Sequence, residues 1–158
     1  MGSGKTSVGA LVADALGCPF LDLDELIVHE AGCSIPEIFA REGEEGFRKR
    51  EAETLKKTVG RYGQSTAVLA LGGGTPCLPG AAQLLREKSL CIWLRAQAET
   101  LEARLAGERD TRPMLKTRTL EELLAEREKD YLAAAHLVLD TDGLSPAEIA
   151  DEIIISCL

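Results

Sequence analysis

The chain opens Met1-Gly2-Ser3-Gly4-Lys5-Thr6 and runs directly into a helical apolar pattern. This feature constrains the fold more than any other. Gly4-Lys5-Thr6 is the second half of the phosphate-binding pattern G-x-x-x-x-G-K-[ST], which follows a strand and opens a helix. Glycines let the backbone wrap an anion without Cβ clashes. The helix start behind them offers unpaired N–H groups and the positive end of the helix dipole. Lys5 is placed to reach the β/γ-phosphates of a nucleoside triphosphate, and the Thr6 hydroxyl to ligate Mg²⁺. Gly2, Ser3, Gly4 and Ser7 complete the expected phosphate contacts. The first glycine of the pattern, and the strand that launches it, fall before residue 1. The sequence is therefore expected to start inside a longer chain.

At 158 residues the chain fits one domain with a real core. No apolar run approaches the roughly 18 residues of a membrane span, and no secretory segment precedes the glycines, so the expected compartment is the cytoplasm. The five cysteines are scattered, without C-x-x-C pairs, and read as free thiols. A net charge of −8 argues against nucleic-acid binding, which needs a basic face. Local positive charge at Arg48-Lys49-Arg50 and at Arg109, Arg112, Lys116, Arg118 and Arg127 still allows an anionic substrate.

Val8, Leu11, Val12, Ala15 and Leu16 predict a helix over 5–16, closed by Gly17. Residues 18–23 read as a strand ending in Asp22-Leu23-Asp24. Helices fill about 25–59, with a capping box at Ser34-Ile35-Pro36-Glu37 and an apolar stripe of Phe47, Leu55 and Val59. Residues 67–71 form a continuous apolar run, as in a buried parallel strand, ended by Gly72-Gly73-Gly74. A helix near 80–88, a strand over 90–94 and a helix over about 98–107 follow. A polar, Arg-rich stretch covers 108–118. The chain ends with a helix from Thr119 to about 135, a strand at 137–139 and a helix from Ser145-Pro146. This alternation means an α/β fold with a mainly parallel sheet.

Asp22 and Asp24 stand two apart at a strand end. Alternation would put both on one face, aimed past the carboxyl edge where open α/β sheets bind ligands. One could serve the Mg²⁺ shell and the other accept a substrate hydroxyl proton. The glycines at 72–74 let backbone lie against a ligand, and equally suit a plain turn. Asp110-Thr111-Arg112-Pro113 fits a lid that closes over phosphate and excludes water, or an exposed charged loop. Arg127 sits on a helix, where arginines usually face solvent. His29 and His136 have no catalytic partners, and His136 reads as structural.

Taken together, these residues resemble the shikimate kinase family over nearly the whole chain. The resemblance rests on G-S-G-K-T at 2–6, L-D-L-D at 21–24, S-I-P-E-I-F-A-R-E-G-E-E-G-F-R at 34–48, L-G-G-G-T at 71–75 and R-P-M-L at 112–115. The 34–48 block is the most specific, since generic P-loop kinases lack it. The resemblance implies a P-loop NTPase three-layer sandwich with five parallel strands, the first lying outside this sequence. It implies a substrate subdomain at about 24–55, a lid at about 108–118 and a monomer. It implies ATP and shikimate as ligands and transfer of phosphate to the 3-hydroxyl. By motif position, Lys5 and Thr6 serve phosphates and Mg²⁺, and Asp22 holds the metal's water shell. Asp24 binds the reacting hydroxyl and acts as base. Arg48 and Arg127 clamp the substrate carboxylate. Gly73 and Gly74 offer backbone contacts, while Phe39, Phe47 and Pro113 line the pocket. Arg112 reaches the phosphates from the lid, and Arg104 lies near adenine. Two other functions fit the residues: a kinase for another small hydroxy acid such as gluconate, and a non-catalytic relative.

Overall fold

The helix behind the glycines comes first along the chain and presents its N-terminal N–H groups. In the computed structural model, which describes residues 2–106 and 113–157, that helix is α1, Lys5–Leu16. Its apolar stripe buries Val8 and Val12. Gly17 closes it at φ 62°, donating its N–H to the carbonyls of Ala13 and Asp14.

Strand β1, Phe20–Asp22, is shorter than the run predicted over 18–23. Asp22 ends it by becoming the N-cap of α2, Leu23–Ala31: its carboxylate accepts the Asp24 N–H at 2.9 Å. Asp24 therefore lies in the first turn of a helix. The expectation that Asp22 and Asp24 share a face by strand alternation is wrong; the cap, not the pleat, brings them together.

Helix α3, Ile35–Tyr62, starts at the predicted capping box. Glu37 Oε2 accepts the Ser34 N–H at 2.8 Å, and Ser34 Oγ accepts the Glu37 N–H at 3.3 Å. At Gly43 the backbone leaves the helix (φ 70°, ψ −176°) and the path kinks. Beyond the kink, Phe47, Glu51, Leu55 and Thr58 point into the protein.

The remaining elements are β2 (Val68–Ala70), α4 (Ala81–Lys88), β3 (Ile92–Arg95), α5 (Ala98–Arg104), α6 (Leu120–Ala134), β4 (Leu137–Asp140) and α7 (Pro146–Cys157). β3 starts later than predicted because the Cys91 N–H is taken by His136 Nδ1 at 3.1 Å, outside the ladder. This gives His136 its expected structural role. Of the expected lid at about 108–118, residues 108–112 lie outside the described residues; Pro113–Lys116 is a 3₁₀ turn. Among the described residues, no helix is long and apolar enough to cross a membrane.

Among the described residues, all strand pairs are parallel. β1 pairs with β2 from Phe20↔Val68 to Asp22↔Ala70, and β3 with β4 from Ile92↔Leu137 to Arg95↔Asp140. β2 and β3 are not hydrogen-bonded to each other, so the sheet is two parallel pairs rather than one run. Helices cover both faces. One core cluster, with Leu23, Ile27, Ile38, Phe47 and Leu55, joins α2, α3 and α4. A second joins α1, β4 and α7 through Val8, Val12, Leu139 and Ile149. A third, with Leu101, Leu105 and Leu120, joins α5 to α6.

The Gly43 conformation belongs to a region that only glycine occupies without strain, and no atom stands within 4 Å of where a Cβ would go. Gly43→Ala should therefore lower unfolding free energy by about 1–3 kcal/mol through backbone strain alone. Urea denaturation checks this, with an unchanged m-value expected.

Candidate active site

The phosphate end of the site is set by glycine backbone. Gly4 caps α1 at φ 82°, and Gly2 has φ 66°. A Cβ on Gly2 would stand 2.9 Å from Leu105 Cγ and 3.1 Å from the Leu101 carbonyl, so the loop is pressed against the end of α5. Ser3 is buried, while Thr6 and Ser7 are exposed at the helix start. Arg104, expected near adenine, donates to the carbonyl of Gly2 at 3.4 Å and that of Thr141 at 3.1 Å. It braces the loop against the end of β4.

The Thr6 hydroxyl donates to Asp22 Oδ2 at 3.0 Å. Asp22 thus makes two links. One oxygen caps α2, which carries Asp24, and the other meets the helix that carries Lys5. Two hard oxygen donors at a helix N-terminus, beside bare N–H groups, suit Mg²⁺ and a phosphate chain together.

The opposite wall is built on Glu51, whose side chain is 1% exposed. Glu51 Oε2 accepts from Arg48 Nη1 at 2.7 Å, and Oε1 accepts from the Thr75 hydroxyl at 2.6 Å. Taking a carboxylate out of water costs several kcal/mol, which a paired guanidinium and a second donor offset. Arg48 Nε also lies 3.6 Å from Glu44 Oε1, and its Cζ stands 5.2 Å from the Phe47 ring centre. Phe39 stacks on Phe47 at 4.8 Å.

The glycine turn is shaped by these side chains. A Cβ on Gly74 would collide with the Arg48 guanidinium, 2.7 Å from Cζ. On Gly72 it would lie 2.9 Å from Glu51 Oε1 and 3.2 Å from Asp24 Oδ1. The Asp24 carboxylate therefore reaches the same point of the turn as the buried Glu51. Lys5 lines one cavity with Gly72 and Gly73. Lys5, Thr6, Asp22 and Asp24 are thus continuous with Gly72–Gly74 and Arg48.

Arg127 does not face solvent: it is 7% exposed. Its neighbours are Cys77 and Tyr131, and Arg48 acts on both of these as well. The charges of Arg48, on α3, and Arg127, on α6, thus both act on this corner of the protein. Tyr131, one helical turn after Arg127, donates its hydroxyl to the Gly73 carbonyl at 2.5 Å and packs edge-on against Trp93. Burial pushes its hydroxyl above the usual tyrosine range. Burial likewise pushes the Cys77 thiol up to about 11, against the opposing pull of Arg127.

Three of the sequence-derived residues take no part in these contacts with the glycine turn and Glu51. Arg112 lies outside the described residues. Pro113 only heads the 3₁₀ turn that follows, and Arg104 is engaged with the loop backbone. Glu51, Thr75 and Tyr131 were not singled out by the sequence reading. Helical spacing was the available signal: Glu51 lies three residues after Arg48, and Tyr131 four after Arg127.

Thr75→Val should leave Glu51 Oε1 buried without its donor and cost about 1–3 kcal/mol in chemical denaturation. For Cys77 the sign of the pH effect is fixed. The folded thiol holds its proton above the unfolded value of 9.0, so its contribution is intact below that pH and is lost as pH rises toward about 11. Stability should fall between about pH 9 and pH 11, and Cys77→Ala should flatten part of that fall. Iodoacetamide labelling at Cys77, read by mass spectrometry, should rise with a midpoint near 11.

Known proteins share this sequence and this fold. The family described as Shikimate kinase matches residues 1–158. A shikimate kinase of Geobacter sulfurreducens is 45% identical over 157 residues, covering 97% of this chain and 84% of that protein. One of Symbiobacterium thermophilum is 42% identical over 158 residues, covering 97% and 89%. Among solved structures, shikimate kinase from Acinetobacter baumannii in complex with shikimate superposes with a TM-score of 0.91 at 33% identity, covering 98% of this chain and 86% of that one. The enzyme from Aquifex aeolicus gives 0.83 at 33% identity, covering 99% and 90%. A family match over the whole chain and relatives above 40% identity across nearly all of it show that the chain belongs to the shikimate kinase family.

Proposed function

We propose that the chain transfers the γ-phosphoryl group of ATP to the 3-hydroxyl of shikimate, giving shikimate 3-phosphate and ADP. The observation that supports this reading is the run of contacts from the phosphate-binding helix start through Thr6, Asp22 and Asp24 to the Gly72–Gly74 turn, where Arg48 stands beside Glu51.

The substrate carboxylate is gripped by Arg48 and Arg127, whose planar forks match a planar anion. Glu51 fixes Arg48, and Tyr131 fixes the Gly73 carbonyl, so Gly73 and Gly74 meet the substrate as a set surface. Phe47, with Phe39 behind it, backs the ring. This grip aims the 3-hydroxyl at the phosphate loop. Its proton passes to Asp24 as the hydroxyl oxygen bonds to the γ-phosphorus and the bond to the bridging β–γ oxygen breaks. The loop at Gly2–Ser7 and Lys5 carry the charge on the phosphate oxygens. Thr6 and Asp22 would hold Mg²⁺, which supplies charge neutralisation at the β- and γ-phosphates when bound. Arg112 is assigned to the phosphates by its R-P-M-L motif alone. On this reading the enzyme works as a monomer in the cytoplasm.

Asp24→Asn should cut turnover about 10²–10⁴-fold with KM for ATP nearly unchanged. Arg48→Ala and Arg127→Ala should each raise KM for shikimate far more than KM for ATP. A coupled ADP-release assay measures all three. Equal losses for both ligands would remove the clamp, and preference for gluconate over shikimate in a substrate panel would move the reaction to another hydroxy acid.

A further inference from the structure

The glycines at 72–74 form a turn whose central peptide has two settings. The Thr75 N–H donates to the Gly72 carbonyl at 3.1 Å, which closes a β-turn over residues 72–75. Gly74, the third residue of that turn, lies at φ −92°, ψ −9°, the type I geometry. A type II turn keeps the same closing bond. It differs by rotating the peptide between the second and third residues through about 180°. The third residue then takes a φ of about +80°, which glycine adopts without strain. Here that peptide joins Gly73 to Gly74. A Gly-Gly pair does not choose between the two settings by its own sterics, so the choice is made from outside the turn.

The closing bond uses the Gly72 carbonyl and the Thr75 N–H, and leaves the Gly73 carbonyl and the Gly74 N–H outside it. In a trans peptide these two groups point in opposite directions. Rotating the peptide therefore exchanges a donor for an acceptor on each side of the turn. The Tyr131 hydroxyl, reaching across from α6, donates to the Gly73 carbonyl at 2.5 Å. The carbonyl thus faces α6, and the Gly74 N–H faces away from it. A phenol also accepts hydrogen bonds, so this contact alone would tolerate the rotated peptide. Arg127, one turn earlier on α6, removes that tolerance. Its guanidinium acts on the same hydroxyl and carries donors only. A hydroxyl facing such a group keeps its lone pairs for it and its proton for a carbonyl elsewhere. Trp93 packs edge-on against the Tyr131 ring, 5.3 Å between centres, and holds the ring in place.

We infer that Tyr131 is a positioning residue that locks the Gly73–Gly74 peptide in one of its two settings, so that the turn meets the substrate with the Gly74 N–H as a donor. Tyr131 acts through the peptide and not by touching the substrate. An N–H suits a carboxylate or hydroxyl oxygen, whereas a carbonyl in its place repels a carboxylate. Helix α6 therefore supplies Arg127 and, four residues later, the group that orients a backbone donor for the same ligand. Which molecule that donor meets rests on the proposed function; the setting of the peptide does not.

Tyr131→Phe removes the hydroxyl and keeps the ring against Trp93. NMR on the unliganded protein reads the peptide. In the unaltered protein the Gly74 amide should be sharp, with no microsecond–millisecond exchange in relaxation dispersion. Exchange there would already overturn the inference, without any variant. In Tyr131→Phe the same amide should shift and show that exchange. Calorimetry then reads the ligands. The shikimate dissociation constant should rise about three- to tenfold, the population change that the net contribution of one hydrogen bond allows, with ATP affinity unchanged. A purely structural role would lower the unfolding midpoint and move neither the Gly74 amide nor the ratio of the two affinities. An unmoved Gly74 amide in the variant overturns the inference even if shikimate binds more weakly, because the loss then runs through Arg127. A rotated peptide with shikimate bound as tightly as before overturns it as well. Failure of the unaltered protein to bind shikimate counts against the proposed substrate instead, and the NMR comparison still decides the lock.

Discussion

A single buried carboxylate carries the acid-binding half of this protein. Glu51 is almost wholly removed from water, and both its oxygens are engaged, one by Arg48 and one by Thr75. That arrangement fixes three things together: the direction of the Arg48 fork, the path of the glycine turn that Thr75 follows, and the closeness of Asp24 at Gly72. Removing one member of such a pair exposes the other to a low-dielectric interior with no partner, which is far costlier than the pair's net worth.

The two halves of the cleft meet through a second carboxylate with two duties. Asp22 ends β1, caps α2 and receives the Thr6 hydroxyl. A strand end, a helix start and the phosphate helix are thereby tied at one point, and Asp24 is delivered there by a single residue of helix. The kink at Gly43 then lets α3 bring Phe47, Arg48 and Glu51 back to the same corner, while still starting from its cap at Ser34. Positioning comes from caps and a kink, devices local in sequence, acting on residues far apart in the chain.

Much of this was legible in the residues. Caps at Gly17, Ser34, Thr119 and Ser145 have side-chain or backbone chemistry readable over four positions, and the helices they bound begin or end as expected. The phosphate loop and Arg48 were visible as motif. Three things were not. Asp24 reads as strand by alternation, because a pleat and a cap both place polar residues at this spacing; only the N–H bond to Asp22 decides. Arg127 reads as solvent-facing, because one helix gives no hint that the charges of Arg127 and Arg48 act on the same Cys77 and Tyr131. The break between β2 and β3 is a property of long-range pairing, which periodicity within each strand does not encode.

The claim that Glu51 assembles the acid-binding wall, independently of the phosphate loop, is tested most directly by titration calorimetry on Glu51→Gln, which keeps the shape and removes the charge. The account predicts that shikimate affinity falls at least about tenfold, a loss of about 1.4 kcal/mol, while ATP affinity is unchanged. Parallel losses for both ligands, or shikimate binding as tight as in the unaltered protein, would contradict it.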